Sequence, residues 1–407
     1  MDLRLLYGEN CKIEEKVERI ERLKKVFIEN EGVNPTHIFS SSGRSEILGN
    51  HTDHNHGIVM VASISCDVVA AVAKRNDNLV KICSQGYPAV EVDLSNLSVN
   101  EKDYGKSDAL ARGVADAIVK RGYEIGGFTA YTSSNIFKGA GVSSSAAFEV
   151  LVAEIFNTLY LHGKLSDIDR AVIAQYAENV HFGKPCGLLD QSGISIGSLV
   201  KLDFNDPENP KIKKLQAPIG YSLVITNTGG NHAALTEHYA AIRKEMEEVA
   251  SFFGKKVLRE VPRKDFEKML PTLKRRFSGR AILRALHFYN ENERVIKAQN
   301  ALASGDVQSF LDAVNESGAS SLTLLQNCYV PGDVKQPVVL GIELSRNYIK
   351  DGAVRVHGGG FAGSILAIVN NKEVKGYVAF MKKLFGEDNV FEASIRQVGT
   401  TLVEVLR

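Results

Sequence analysis

The stretch KGAGVSSSAA, Lys138–Ala147, is the strongest indication of fold and function in this chain. Two glycines bracket an alanine, three serines follow, and apolar residues then recur at helical spacing as far as Leu161. Glycine lets a ligand approach the backbone closely, and the free N–H groups in the first turn of a helix attract anions. Serine hydroxyls add donors and can bind a hard cation. The stretch therefore predicts a loop that binds a phosphate chain and its metal at a helix N-terminus.

A Gly/Ser-rich stretch can also be a flexible linker, which is the structural alternative to a phosphate loop. The long apolar helix that begins directly after the serines argues against a linker, because linkers do not lead at once into a buried face. We therefore expect nucleotide contacts from eight consecutive residues, Gly139, Ala140, Gly141, Val142, Ser143, Ser144, Ser145 and Ala146.

Composition argues against several other classes of protein. The chain has 407 residues, 44% of them hydrophobic, which predicts a large core and more than one domain. Its formal net charge of +1 gives no reason to expect nucleic acid or an anionic membrane as a partner. No apolar run approaches membrane length, the N-terminus lacks the apolar core of a signal peptide, and the five cysteines are scattered. These features predict a cytoplasmic protein.

Predicted helices and strands occur in both halves of the chain without strict β-α-β repetition, which favours an α+β fold. Ser166 and Asp169 form the pattern of a capping box at the start of a helix. The strongest break is DPENP, Asp206–Pro210, and it predicts two domains, residues 1–212 and 213–407. Further local predictions are loops over Gly43–Gly57 and Gly183–Gly197 and a last strand over Ala393–Val398.

The polar segment GRSEILGNHTDHNHG, Gly43–Gly57, has two interpretations. One is a metal site, but side chains so close in sequence converge poorly on one ion, and no distant Cys/His cluster completes the set. The candidate ligands of that site are His51, Asp53, His54 and His56. The other is a site for a hydroxyl-rich substrate, because Asp, Asn and His side chains together donate to and accept from hydroxyl groups.

Several motifs together resemble one family, the GHMP small-molecule kinases. GRSEILGNHTDHN, GAGVSSSAA and GGGFAG occur in the family's order and spacing, and the first resembles the galactokinase signature. CGLLDQ at Cys186–Gln191 and TNTGGNHAALTEHY at Thr226–Tyr239 resemble further galactokinase segments. The resemblance runs across nearly the whole chain. It implies a two-domain α+β GHMP kinase fold with the active site in the cleft between the domains. The implied activity is ATP-dependent phosphorylation of the anomeric hydroxyl of galactose.

The resemblance also implies roles for individual residues. Asp190 falls where galactokinases keep the aspartate beside the anomeric hydroxyl, and Arg44 falls on the arginine that pairs with it and holds it ionised. Ser145 and Glu178 fall on the magnesium ligand positions of the superfamily. Sugar contacts are expected from Asn50, His51, Asp53, His54, Gly187 and Tyr239. The closing loop from the second domain is expected to contain Gly358, Gly359, Gly360 and Phe361.

The chain departs from the galactokinase pattern at several positions, namely Glu46, Asn50, His54, Ser107 and Asn231. Asn50 replaces a glutamate that contacts the C6 hydroxyl, and His54 replaces a tyrosine. Plant galacturonate kinases also lack that glutamate and have that histidine. A kinase for galacturonate or another C6-modified sugar is therefore the alternative enzyme, and a sugar-and-ATP sensor without turnover is the alternative outside the enzymes. Retention of Asp190 with both magnesium ligands favours turnover. We expect a monomer whose partners are a small sugar and ATP.

Overall fold

The computed structural model describes residues 1–8, 11–136, 141–229, 235–361 and 363–406. The helices are α1 Arg4–Tyr7, α2 Ile13–Glu31, α3 Ser107–Lys120, α4 Ser144–Leu159, α5 Asp167–Tyr176, α6 Leu189–Ile196, α7 Thr236–Phe252, α8 Arg263–Lys268, α9 Leu270–Arg276, α10 Gly279–Ser304, α11 Val307–Ser320, α12 Pro337–Tyr348 and α13 Val374–Phe385. The strands are β1 His37–Leu48, β2 Ile58–Lys74, β3 Leu79–Ser84, β4 Val90–Asp93, β5 Phe128–Ser134, β6 Leu199–Asp203, β7 Lys211–Leu215, β8 Tyr221–Asn227, β9 Gly352–Val356, β10 Ser364–Asn370, β11 Val390–Ala393 and β12 Thr401–Val405. Two π-helical turns, Ala177–His181 and Ser321–Leu325, follow α5 and α11.

The larger sheet is built on the long pair β1 and β2. Its strand order is β12-β1-β2-β5-β3-β4, and β6, which also pairs with β7, joins the first residues of β2. β2 is rich in valine, isoleucine and alanine and is buried along almost its whole length, because helices cover both faces of the sheet. α3 and α4 pack on one face, and α2 packs on the other through the fully buried Phe27.

The smaller sheet has the order β11-β8-β10-β9, and all three of its strand pairs are antiparallel. α12 and α13 cover one face, and α10 and α11 lie against the other. One continuous hydrophobic cluster contains residues of both sheets, joined through α10 and α11. α7 to α10 enclose a further cluster of their own, which includes Met246 and Phe266. The chain therefore has helices and mixed sheets in the α+β arrangement that the sequence predicted.

Several local predictions can be compared with the structure. The capping box of Ser166 and Asp169 is present at the start of α5. The loop prediction over Gly183–Gly197 was wrong in its second half, which forms α6. Helix α6 forms although it contains Gly193, because its packing against β2 outweighs the low helix propensity of glycine. The contact is so close that a Cβ on Gly193 would lie 2.5 Å from Val61.

The predictions for Gly43–Gly57 and Ala393–Val398 also need correction. Residues 43–48 continue β1, since every one of them lies buried beside β2. The predicted last strand is instead β11, which ends at residue 393, and a separate β12, and residue 395 makes only an isolated bridge to Ile64.

The division into two domains, residues 1–212 and 213–407, stays a prediction. β7 runs through the predicted boundary and pairs with β6, and β12, close to the C-terminus, pairs with β1. Segments from both predicted halves therefore contribute to the larger sheet. Among the described residues, no helix is both long enough and apolar enough to cross a membrane.

Candidate active site

The candidate site lies where the end of β1 meets the N-termini of α4 and α6. The described part of the phosphate loop begins at Gly141, so the predicted contacts Gly139 and Ala140, like the departure Asn231, lie outside the described residues. Ser143 has a φ of 61° immediately before α4, a left-handed conformation that is uncommon for a serine. Gly43 on β1 allows the loop to approach, because a Cβ there would lie 2.8 Å from Cys66 Sγ and 3.2 Å from the Val142 carbonyl oxygen.

Arg44 and Asp190 form a bidentate ion pair at this point. Arg44 Nε donates to Asp190 Oδ1 at 2.6 Å, and Arg44 Nη2 donates to Oδ2 at 2.8 Å. Arg44 also donates to the Gly141 carbonyl, and the Ser143 hydroxyl donates to Asp190. Burial by itself would raise the pKa of Asp190, but Arg44 and Ser143 outweigh it and hold that pKa below its usual value. Asp190, in the first turn of α6, is thus an ionised carboxylate at neutral pH that is held against the phosphate loop by Ser143.

A second carboxylate, Glu178, lies beside the N-terminus of α4. It belongs to the π-helical turn Ala177–His181, a local widening of a helix that is frequent at functional sites. Glu178 Oε1 accepts hydrogen bonds from Ser145 Oγ at 3.3 Å and from Lys184 Nζ at 2.9 Å. Its other oxygen accepts from Gln191 Nε2 at 2.8 Å. The structure thus brings together the two predicted magnesium ligands.

The oxygen atoms at this point fit a hard divalent cation. Besides Ser145 and Glu178, the buried Glu149 faces the same space, and its Oε1 has no hydrogen-bond partner among the described residues. Burial first, and then the neighbouring charge of Glu178, raise the pKa of Glu149 well above its usual value. Magnesium prefers oxygen ligands and keeps several waters, so two protein ligands are sufficient. The described residues contain no group of three or more His, Cys, Asp or Glu side chains placed to hold a metal ion, and the candidates at positions 51–56 form no such group.

Asp53 lies next to the segment that carries the catalytic candidate. It begins a short 3₁₀ turn, and a Cβ on Gly187 would collide with its carboxylate, so a side chain at 187 would require the Asp53 carboxylate to move. Burial, followed by the negative charges of Glu46 and Asp190, raises the pKa of Asp53 to about 7. A carboxyl group that is half protonated at neutral pH can both donate to and accept from a hydroxyl group.

The remaining predicted sugar contacts meet the loop that follows β9. His51 Nε2 lies 2.9 Å from the Gly359 carbonyl oxygen, and the Tyr239 hydroxyl donates to the Gly360 carbonyl at 2.9 Å. The rings of His51 and Tyr239 are stacked with centroids 6.4 Å apart, and Phe361 lies edge-on to Tyr239 at 5.3 Å. Burial lowers the pKa of His51 to about 4, so its imidazole is neutral.

His54 lies beside this cluster. Its ring centroid is 5.7 Å from that of His51, and burial also lowers its pKa, well below the usual value. The structure therefore collects all of these residues at one end of the site, with both histidines neutral at pH 7.

Asn50, a predicted sugar contact, is bonded to protein groups in the structure. Its side chain is fully buried, with 0% exposure, and contacts protein groups on every side. Its Nδ2 donates to Glu46 Oε1 and to the Gly358 carbonyl, both at 2.8 Å, while its Oδ1 accepts from Asn327 Nδ2 at 2.8 Å and from Ser321 Oγ at 3.3 Å. No part of the side chain is available to a ligand in this arrangement. Asn50 instead connects the segment 46–50 to the closing loop.

The sequence analysis missed several buried residues that surround Asn50. Glu46 accepts from Arg355 Nη2 at 2.9 Å, and α10 supplies His287, 2.9 Å from the Asn50 carbonyl oxygen, and Glu291, which accepts from the Gly49 N–H at 3.0 Å. His357 lies 3.1 Å from Ser45 Oγ. Of these residues only Glu46 had a sequence signal, its departure from the family pattern. The others had none, because each lies 237 to 312 positions from the residue that it contacts: His287, Glu291, Arg355 and His357.

Two protein-family models match segments of this chain. The "Galactokinase galactose-binding signature" matches residues 25–74, and the "GHMP kinases N terminal domain" matches residues 109–198. A galactokinase of Clostridium tetani is 30% identical over 376 residues, which cover 91% of this chain and 92% of that protein. The chain belongs to the galactokinase family. A galactokinase of Clostridium perfringens (strain ATCC 13124) is 29% identical over 395 residues, covering 92% of this chain and 96% of that protein.

Solved structures agree with the galactokinase fold. Lactococcus lactis galactokinase complexed with galactose superposes with a TM-score of 0.82 at 25% identity, covering 95% of this chain and all of that one. Methanococcus jannaschii mevalonate kinase, at 14% identity and a TM-score of 0.63 over 88% of this chain and 98% of that one, shares the fold. The predicted GHMP kinase fold and the predicted class of enzyme, a phosphotransferase, are thereby confirmed. Membership of a kinase family implies ATP as the phosphoryl donor.

Proposed function

We propose that this chain transfers the γ-phosphoryl group of ATP to the anomeric hydroxyl of α-D-galactose, producing galactose 1-phosphate and ADP. The observation that carries the proposal is the bidentate pair of Arg44 and Asp190, joined by the Ser143 hydroxyl at the N-terminus of α4. It puts an ionised carboxylate directly beside a helix terminus suited to phosphates. Phosphoryl transfer requires mainly that the acceptor hydroxyl and the phosphate be positioned and that charge be neutralised.

Asp190 is the proposed catalytic residue. Its carboxylate accepts a hydrogen bond from the sugar hydroxyl and takes the hydroxyl proton as the new O–P bond forms. Arg44 orients this carboxylate and keeps it ionised, so that it is ready to accept at neutral pH. Because Arg44 also binds the Gly141 carbonyl, the same side chain fixes the distance between acceptor and phosphate loop.

Ser145 and Glu178 are the proposed ligands of Mg²⁺, which when bound neutralises charge on the phosphates. The Ser145 hydroxyl and the Glu178 carboxylate share one contact, so both oxygens can face one cation. Gly141, Val142, Ser143, Ser144 and Ala146 form the rest of the described phosphate-binding segment. First-turn N–H groups of α4 supply the donors at this segment.

Asp53, His51, His54, Gly187 and Tyr239 are the proposed sugar contacts, closed over by residues 358–361. The two histidines and Tyr239 lie close together, and side chains of these types with Asp53 suit a ligand rich in hydroxyl groups. Asn50 acts through the closing loop, because its amide is already bonded to protein groups.

Galacturonate is the second candidate substrate. A carboxylate at position 50 would repel an acidic sugar, and this chain has a neutral amide there. The Glu46 carboxylate nearby accepts from Arg355 and Asn50, and pairing with the buried arginine partly offsets its charge. A non-catalytic sensor is the remaining alternative, and the intact Arg44–Asp190 pair argues against it.

A panel of sugars in a coupled ADP-release assay tests the proposal. Purified protein with Mg²⁺ and ATP should release ADP with galactose and not with glucose or without sugar. Galacturonate as the better substrate would establish the second candidate. Sugar-dependent ATP binding without ADP release would establish a sensor. We further propose a cytoplasmic monomer, which size-exclusion chromatography with light scattering would test for its oligomeric state.

A further inference from the structure

Lys184 is a cation in the candidate active site, and it has no role in the reaction proposed above. Its Nζ lies 2.9 Å from Glu178 Oε1, the same oxygen that accepts from Ser145 Oγ. The Asp190 carboxylate also acts electrostatically on this ammonium group. A lysine therefore stands beside the oxygen to which the divalent cation is assigned.

The backbone of Lys184 is held by a hydrogen bond, whereas its side chain is largely exposed. Its N–H donates to the Glu178 carbonyl oxygen at 3.1 Å, and the Cys186 N–H donates to Asn179 Oδ1 at 2.7 Å. Pro185 restricts the residue before it to extended conformations. The side chain of Lys184 is nevertheless 62% exposed, so the ammonium can change partners at low cost.

Magnesium and the Lys184 ammonium would compete for Glu178 Oε1, because the other carboxylate oxygen accepts from Gln191. Magnesium binds carboxylate oxygens at about 2.0–2.1 Å, and an ammonium group on the same oxygen would be repelled by it. The nearest anions available to a displaced ammonium are the phosphates expected at the N-terminus of α4, where Ser145 contacts the same carboxylate.

We propose that Lys184 is a positioning residue that holds Glu178 in the nucleotide-free protein and moves to the phosphates of ATP when the divalent cation takes Glu178. This inference rests on the proposed function, because it uses the cation site assigned there. Lys184 would thus keep Glu178 oriented before the metal nucleotide binds, and would oppose binding of the metal alone.

Binding of Mn²⁺, measured by electron paramagnetic resonance in nucleotide-free protein, tests the inference without using activity. Lys184→Gln should bind Mn²⁺ about two- to fivefold more tightly than wild type, the effect of removing a largely exposed ion pair. Lys184→Gln should also raise KM for ATP severalfold and leave KM for the sugar unchanged. Lys297→Gln is the matched control, because Lys297 pairs with Glu316 at the same distance of 2.9 Å, outside the candidate active site.

The outcomes separate this inference from the proposal on which it rests. Equal Mn²⁺ affinity in wild type and Lys184→Gln, together with weaker binding in Glu178→Gln, would overturn the role of Lys184 and leave the metal site intact. Unchanged Mn²⁺ binding in Glu178→Gln would overturn the metal site and the role of Lys184 together. In the double variant, Mn²⁺ affinity should match that of Glu178→Gln alone, because Lys184 acts through that carboxylate. Absence of ADP release with every sugar would overturn the kinase proposal independently of the Mn²⁺ results.

Discussion

The two ends of the candidate site are held together by different interactions. At the charged end, Arg44, Asp190, Glu178 and Lys184 form ion pairs in which the Asp190 side chain remains 34% exposed. At the amide end, the side chain of the fully buried Asn50 is bonded to two neutral side chains, to one backbone carbonyl and to one ion-paired carboxylate. At the charged end the Asp190 carboxylate remains partly accessible, although Glu178 is buried, whereas the Asn50 amide is sealed. The proposed chemistry uses Asp190, which a substrate can reach, whereas the Asn50 amide contacts the closing loop at the Gly358 carbonyl.

The largest effect is expected from removing the charge at the accessible end. Asp190→Asn should lower kcat by about 10²–10⁴-fold, because the acceptor hydroxyl loses its proton acceptor. Sugar binding, measured by calorimetry, should change only a few-fold. Asp203→Asn is the matched control, since Asp203 also accepts two hydrogen bonds from one arginine, Arg259, and should keep normal turnover. Near wild-type kcat in Asp190→Asn would make Asp190 a structural residue.

At the amide end, we expect a substitution to change the stability of the protein more than its choice of sugar. Asn50→Glu places a carboxylate in a sealed space next to Glu46 and should lower the free energy of unfolding by about 3–5 kcal/mol, measured in urea. The exposed Asn371→Glu should have little effect. In the exchange variant Glu46→Asn/Asn50→Glu, one carboxylate and one amide remain, so much of the stability should return.

The exchange variant also tests the choice of sugar. Its ratio of specificity constants should shift toward galactose and away from galacturonate, measured for both sugars on both proteins. A stable Asn50→Glu protein would show that residue 50 is not sealed by its neighbours. An unchanged ratio in the exchange variant would show that this end does not select the sugar.

Asp53 lies between the two ends, and its pKa of about 7 predicts a pH-dependent stability. In the unfolded chain the group has its ordinary pKa near 3.8, so its contribution is fully present below that pH and is lost as the pH rises toward 7. Allowing for partial exposure, the loss should be about 2 kcal/mol. Asp53→Asn should therefore gain stability relative to wild type between pH 4 and 7 in urea unfolding curves. Parallel curves for the two proteins would contradict the raised pKa.

The smallest effect is expected at the cation site, where each variant removes one of several oxygens. Ser145→Ala and Glu178→Gln should each raise the Mg²⁺ concentration for half-maximal rate by several-fold to about tenfold. Ser222→Ala is the control, since its hydroxyl also donates to a carboxylate, Glu392 Oε1, at 2.8 Å. An identical magnesium profile in both site variants would place the cation elsewhere.

The sequence by itself determined the parts of this protein that depend on neighbours along the chain. The glycines and serines before an apolar helical pattern indicated the N-terminus of α4, and Ser166 with Asp169 indicated the start of α5. The motifs around Arg44 and Asp190 indicated a pair that the structure joins. The two helix signals lie within a few residues, because helix caps and turns are stabilised by local contacts. The Arg44–Asp190 pair spans 146 positions and was predicted from the resemblance to the galactokinase family.

Only the tertiary structure decided what lies buried at the amide end and which cation faces Glu178. Glu46 contacts Arg355, which is 309 positions away, and Asn50 contacts Asn327, which is 277 positions away. No local sequence pattern therefore predicts either contact. Asn50 is buried and bonded to protein groups, because a sealed amide must satisfy its donors and acceptors within the protein, and its sugar contact stays a prediction. Lys184 likewise has an ordinary sequence context, and its position above Glu178 follows from the π-helical turn and the folded loop.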